Sequence, residues 1–164
     1  MSLSAEALRQ HLDYTNWASL RLMDSAAMLS QDELTRDFKT ADHSVIGTLA
    51  HIFAADRIWL ERIQGHPRAT FISDEDRHLP TLQTEWPALH QRWKFWAAPL
   101  TDQNVVDELA YRDSHGNPFK QPLWQIILHV VNHASQHRGQ ILGFLRAMGH
   151  TPPKIDMTAY YRTL

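Results

Sequence analysis

The sequence predicts an all-α protein built as a four-helix bundle. Three observations carry that expectation. Four long stretches keep apolar residues at three- to four-residue steps, no segment sustains the alternation of a buried strand, and Gly or Pro closes three of the four stretches. At 164 residues the chain has the size of one ordinary domain, and residues 1–164 are expected to form it.

The first helix is expected from Leu3 to Leu29, where Leu8, Leu12, Leu20, Met23 and Ala27 recur at helical spacing behind Ser4 as N-cap. A polar link, SQDELTRDFKTADH, leads to Ser44, which can cap the second helix, VIGTLAHIFAADRIWLERIQ. Gly65 followed by His66-Pro67 stops it, and residues 66 to 83 read as a surface loop. Thr84 can cap a third helix with Pro87 in its first turn, where a missing amide is harmless, and Pro99 ends it after Ala98. The stretch VVDELAYRDSHGNPFKQ carries a turn signal, Ser114-His115-Gly116-Asn117, so a short hairpin or an irregular crossover precedes the last helix. Gln121-Pro122 opens that fourth helix, which runs to Gly149, with Pro152-Pro153 beyond it. The second and fourth helices are apolar on more than one face and belong at the bundle centre or at a subunit interface. Trp17, Trp59, Trp93, Trp96 and Trp124 fall at helical positions as core or interface residues.

Composition narrows function. A net charge of −2 and a pI near 6.6 provide no cationic surface for nucleic acid or anionic lipid. The absence of cysteine excludes disulfides, thiolate ligands and a protein-borne sulfur nucleophile. With no secretory leader pattern and no run of about 18 apolar residues, the expected location is cytoplasmic.

Eleven histidines are many for this length, and their placement is informative. In HVVNHASQHRGQI, His133 and His137 lie four apart, about 40° from each other around a helix and one turn along it, so both can reach one point. Two neutral imidazoles make a clamp for Zn, Ni, Cu or Fe but not a tight site. His51, in TLAHIFAAD, shares a stripe with Thr48, Ala55 and Ile58 that should face inward. Alone, such a residue is more often a satisfied core histidine; opposite an inward pair it becomes a third ligand. His129 lies about 80° from His137 and is expected beside the ligands or bonded to a carbonyl or carboxylate in the core. Asp56, about 140° from His51, should face elsewhere and pair with a cation. Arg138 can pair with a carboxylate on a neighbouring helix or anchor an anionic substrate. Gly139 and Gly143 form a small step suited to close helix approach, Gln140 can orient a ligand or make a plain hydrogen bond, and Tyr160 and Tyr161 could fold over the site. The glutamate of a zinc-protease H-E-x-x-H motif is absent, as are phosphate loops, a nucleophile elbow and the Glu-x-x-His pairs of di-iron bundles.

Taken together, LAHIFAADRIWLERIQG, HVVNHASQHRGQI and LRAMGHTPP, with YTNWASLRLMD near the start and DMTAYYR near the end, resemble the DinB-like family of metalloenzymes. The resemblance covers most of the chain. It implies a four-helix bundle, usually dimeric, with a divalent ion, nickel or zinc, held by three histidines; by position these are His51, His133 and His137. Relatives in the same superfamily use low-molecular-weight thiols such as mycothiol or bacillithiol in transfer or isomerisation reactions.

Three functions are compatible with these residues. The first is a metal-dependent transferase acting on a small molecule with a thiol cosubstrate. The second is a hydrolase that activates water at the same ion and would need a carboxylate base. The third is a non-catalytic, stress-associated metal-binding protein. Three histidines leave a position open, whereas structural zinc sites are usually closed by four protein ligands.

Overall fold

The computed structural model describes residues 3–66 and 71–164. Its elements are α1 (Ala5–Ala27), α2 (Gln31–Thr35), α3 (Val45–Ile63), a 3₁₀ turn (Glu75–Arg77), α4 (Leu79–Ala97), α5 (Asp102–Val106), β1 (Glu108–Arg112), β2 (Pro118–Pro122), α6 (Leu123–Ala147) and α7 (Met157–Tyr161). The four long helices form a ring in the order α1, α4, α3, α6, each packed against its two neighbours. Helices α1 and α3 therefore stand on a diagonal, as do α4 and α6, and their connections must cross an end of the bundle. Those two crossings carry α2, α5 and the β1–β2 pair. The α3–α4 connection only joins neighbours.

Local chemistry accounts for the helix ends. The Ser4 hydroxyl accepts the Ala7 amide at 3.1 Å, and Ser44 does the same for Gly47 at 3.1 Å. At the end of α3, Gly65 takes φ 75°, so the His66 amide bonds back to the Glu61 carbonyl at 2.8 Å. Pro67 lies outside the described residues. Gly149, at φ 86°, closes α6 in the same manner through His150 and Leu145.

The expected first helix is trimmed to Ala5–Ala27, and the polar link is not all loop. Ser30 and Glu33 satisfy each other's amides in a capping box, which nucleates α2. The third helix begins five residues before Thr84, which is not its cap. Pro80 occupies the first turn instead, and Pro87 lies in the interior, where it removes a ladder bond at a cost of about 3 kcal/mol. The helix continues because Leu82, Trp86, Leu89 and Trp93 form one buried stripe on both sides of Pro87, each contributing about 1.5–3 kcal/mol by burial. The hairpin is real: β1 and β2 pair antiparallel, Glu108 opposite Pro122 and Arg112 opposite Pro118, around Gly116 at φ 83°.

Helix α3 is buried almost all round, with no exposed residue from Val45 to Ala50, as expected for a central element. Helix α6 is pinned to α1 by Arg138, which is 1% exposed. Its Nη1 donates to the Thr15 carbonyl (3.1 Å), Thr15 Oγ1 (2.7 Å) and Ser19 Oγ (3.2 Å), and its Nη2 donates to Ser135 Oγ (2.9 Å). The guanidinium also faces the Tyr14 ring at 5.4 Å. The expected carboxylate partner is replaced by neutral oxygens, and burial leaves the group no route to an anionic substrate.

Asp56, 2% exposed, makes no ion pair among the described residues, although the Arg138 guanidinium is close enough to act on it. Its Oδ2 accepts the Trp86 indole N–H at 3.2 Å, and its main-chain carbonyl accepts that of Trp93 at 3.2 Å. With Asn16 and His90 it lines a cavity of about 10 Å³, the volume of one water. Burial raises the Asp56 carboxyl to about 7, against the pull of Arg138 and the Trp86 bond, and drives His90 down to about 3.

Stability should record this carboxyl. Below about pH 4 it is protonated in both states; between there and pH 7 only the unfolded chain releases the proton, so its contribution is lost as pH rises and levels off above 7. Asp56→Asn keeps an acceptor for Trp86 and removes the ionisation. In urea unfolding, the variant should match the parent near pH 4 and exceed it by about 2–4 kcal/mol at pH 8. A difference that does not change with pH would contradict the protonated carboxyl.

Candidate metal centre

His51 stands in the second turn of α3, and His133 and His137 stand on successive turns of α6. Because these two helices pack directly, the three rings meet across their interface. Ring centroids are 5.0 Å apart for His51–His133, 4.3 Å for His51–His137 and 4.6 Å for His133–His137. One nitrogen from each ring lies within 4.8 Å of the other two, an arrangement that could hold a metal ion. Two nitrogens on a tetrahedral ion at roughly 2.0–2.1 Å stand about 3.3–3.4 Å apart. His51 Nε2 and His133 Nε2 are at 3.1 Å.

The proton inventory suits a cation. His137 Nδ1 lies 3.0 Å from Gln140 Oε1, and an amide oxygen only accepts, so Nδ1 carries the proton and Nε2 is left with its lone pair. His51 Nδ1 faces Asp42 Oδ1 at 3.3 Å, which assigns its proton the same way and turns Nε2 toward His133. At 3.1 Å from that lone pair, His133 Nε2 either donates a proton to it or shares a cation with it. Burial, reinforced by His137 and His51, lowers the His133 imidazole to about 4, and burial also lowers His51 against the opposing pull of Asp42. His51 and His133 are thereby biased toward the neutral form, the one that binds metal. His51 and His137 keep 23% and 14% of their side chains exposed, so the cluster is only partly buried.

Asp42 is the residue that sequence reasoning missed. It precedes the Ser44 cap, and its two oxygens face Nδ1 of His51 at 3.3 Å and Nδ1 of His137 at 3.7 Å. One carboxylate thus orients rings from two helices. The loop reaches this position because residue 47 is glycine: a Cβ there would stand 2.1 Å from the Asp42 carbonyl oxygen. His43 completes the turn at φ 63°. An aspartate just ahead of a cap, with glycine three residues inside the helix, was the available signal. On the other side, Phe71 lies edge-on to His51 at 5.5 Å. Its segment is tied to α3 by Arg57, which donates to the Phe71 carbonyl at 3.3 Å and pairs with Asp76 at 2.9 and 2.7 Å.

The other expectations divide. His129 is exposed, its ring edge-on to Trp59 at 5.2 Å and 5.9 Å from that of His133, beside the cluster rather than bonded to a core carbonyl or carboxylate. Gln140 orients His137. Gly139 and Gly143 are exposed and have nothing within 4 Å of where a Cβ would stand, so within the monomer they serve no close helix approach. Tyr160 packs on Tyr14 and Trp17 at 5.8 and 5.5 Å, away from the role of a cover.

Removing the carboxylate that orients two rings should weaken metal uptake without unfolding the protein. Asp42→Ala is expected to lower zinc affinity about 10–100-fold in competitive chelator titration, and Gly47→Ala, by displacing the same loop, to act in the same direction. Unchanged affinity in both would remove Asp42 from the site.

Known proteins agree with this fold. A crystal structure of a DinB-like protein from Bacillus cereus ATCC 10987 superposes with a TM-score of 0.60 at 18% identity, covering 94% of this chain and 99% of that one. Protein DinB of Bacillus subtilis (strain 168) is 20% identical over 156 residues, 90% of each chain. A profile described as DinB family matches residues 1–163. A match over the whole bundle, histidine-bearing helices included, places the chain in the DinB family.

Proposed function

We propose that this chain is a divalent-metal-dependent enzyme in which His51, His133 and His137 hold one ion, nickel or zinc, and that it transfers a low-molecular-weight thiol to a small electrophile. The observation that carries this reading is the convergence of three imidazoles from two helices in a cluster still partly exposed to solvent. When bound there, a divalent ion supplies a full positive charge and a free position at which a thiol or water loses its proton near pH 7.

The chain's own residues do the rest. Asp42 and Gln140 hold the protons of His51 and His137 on the outer nitrogens and keep the lone pairs inward. Phe71 shields the His51 ring. No cysteine of the chain competes with an incoming thiol. In the transfer, sulfur bonds to the electrophilic carbon, the leaving group departs with its electron pair, and the thiol proton passes to solvent.

Hydrolysis at the same ion is the weaker alternative, because Asp42, the carboxylate nearest the cluster, contacts Nδ1 atoms and so lies behind the rings rather than on the open side. A non-catalytic metal-binding role fits less well with three ligands and an open side. The proposal also takes the protein as a cytoplasmic homodimer acting on small molecules, apart from nucleic acid and membranes. A net charge of −2 argues against nucleic acid as the partner, and among the described residues no helix is long and apolar enough to cross a membrane.

Elemental analysis of protein made without a metal-binding tag should find close to one divalent ion per chain, lost in His133→Ala and His137→Ala. A panel of thiols against alkylating and epoxide electrophiles should then give metal-dependent conjugates. Metal-loaded protein that hydrolyses esters or amides but forms no conjugate would favour the hydrolase, and inertness in both assays would favour the non-catalytic role.

A further inference from the structure

A cleft of about 320 Å³ lies between the end of α3 and the hairpin, lined by Arg62, Gly65, Tyr111, Arg112, Pro118 and Phe119. Its chemistry is that of an anion site with aromatic walls. The Arg62 guanidinium lies over the Trp59 ring at 4.9 Å, which fixes its plane, and it is half-buried. Among the described residues no oxygen hydrogen-bonds to it. Asp113 is close enough to influence it, yet that carboxylate is engaged by the His115 and Asn117 amides at 2.8 Å each and by the Asn117 side chain at 3.0 Å. Arg112, the second cation, gives one N–H to the Gly116 carbonyl at 2.7 Å. Phe119 is 46% exposed and stacked on Tyr111 at 5.8 Å, an aromatic pair left in solvent at the cleft wall.

This cleft leads toward the histidines. A second hollow of about 160 Å³, lined by Trp59, Tyr111, Gln121, Gln125, Ile126 and His129, shares Tyr111 with the first. Ring follows ring from Phe119 to Tyr111, to Trp59 (5.2 Å), to His129 (5.2 Å) and to His133 (5.9 Å). Tyr111 is held in place by its bond to Gln121 Oε1 at 2.5 Å. Along α3 the eleven residues from His51 to Arg62 span roughly 16 Å.

We propose that this cleft binds the carboxylate end of an elongated organic anion, with Arg62 as the recognising cation and the aromatic row as the wall along which the molecule extends to the histidine cluster. The identity of the far end as the reacting group rests on the metal-dependent reading above; the anion site itself does not.

The probe is S-benzyl-N-acetylcysteine, which has a carboxylate and an aromatic group but no free thiol, compared with its methyl ester. Titrations of the full-length protein, followed through the Trp59 indole N–H by NMR, are run with and without bound zinc. The acid should shift the Trp59 signal and bind at least tenfold more tightly than the ester in both forms. Arg62→Gln should lose at least tenfold in affinity for the acid, and Arg62→Lys should lose less, while both keep the parent's zinc stoichiometry. Equal binding of acid and ester, an unaffected Arg62→Gln variant, or no response of Trp59 up to 20-fold molar excess at millimolar protein would overturn the anion site. Loss of the metal reading would instead appear as failure to take up zinc with the Trp59 response intact.

Discussion

The buried guanidinium of Arg138 is the constraint on which the arrangement of the bundle depends. A charge so placed is tolerable only where oxygens surround it, and the carbonyl and hydroxyls of Thr15 and Ser19 on α1, with Ser135 on its own helix, provide that environment. Rotating α6 by even a fraction of a turn would leave the charge facing apolar side chains. Arg138 lies about 100° around the helix from His137 and about 140° from His133. Turned toward α1, it holds both histidines toward α3. The rotation of α6 that satisfies the cation is the one that gathers the imidazoles, so one polar contact on one side of the helix determines the chemistry available on the other.

The histidine cluster sits on rigid elements but is tuned by loops. Rings anchored in α3 and α6 are positioned by packing, whereas their proton arrangement comes from Asp42 on the segment before α3 and Gln140 on α6. Gly47 couples these two levels, because the loop can lie close to α3 only where no side chain intervenes. Phe71, held through Arg57 and Asp76, limits solvent from the opposite side. Both loops flank α3, which is why one central helix can organise so much of the site.

Most of the fold is legible in the residues. Helical spacing, Ser4 and Ser44 as caps, and Gly65 and Gly149 as stops predict four helices because each acts within a few residues of itself, while the Ser114–Asn117 turn leaves a hairpin or an irregular crossover open. What is less legible depends on tertiary contacts. The start of α4 is obscured by two prolines, and only burial of Leu82 and Trp86 decides between them. The Ser30–Glu33 capping box that forms α2 is local and readable, whereas α7 follows from Tyr160 docking on α1. At the site, four-residue spacing brings His133 and His137 together on one face, and an inward stripe brings in His51. Asp42 is invisible to periodicity because it works from a loop, and the bonds of Arg138 to hydroxyls and a carbonyl and of Asp56 to an indole depend on tertiary packing that residue spacing does not record.

X-ray absorption at the metal edge of the zinc-loaded protein tests the central claim most directly. Three imidazoles with an open side predict three histidine nitrogens at about 2.0–2.1 Å and one exchangeable oxygen ligand, replaced by sulfur at about 2.3 Å when a small thiol is added. A shell of four protein ligands indifferent to added thiol, or one with fewer than two imidazoles, would contradict it.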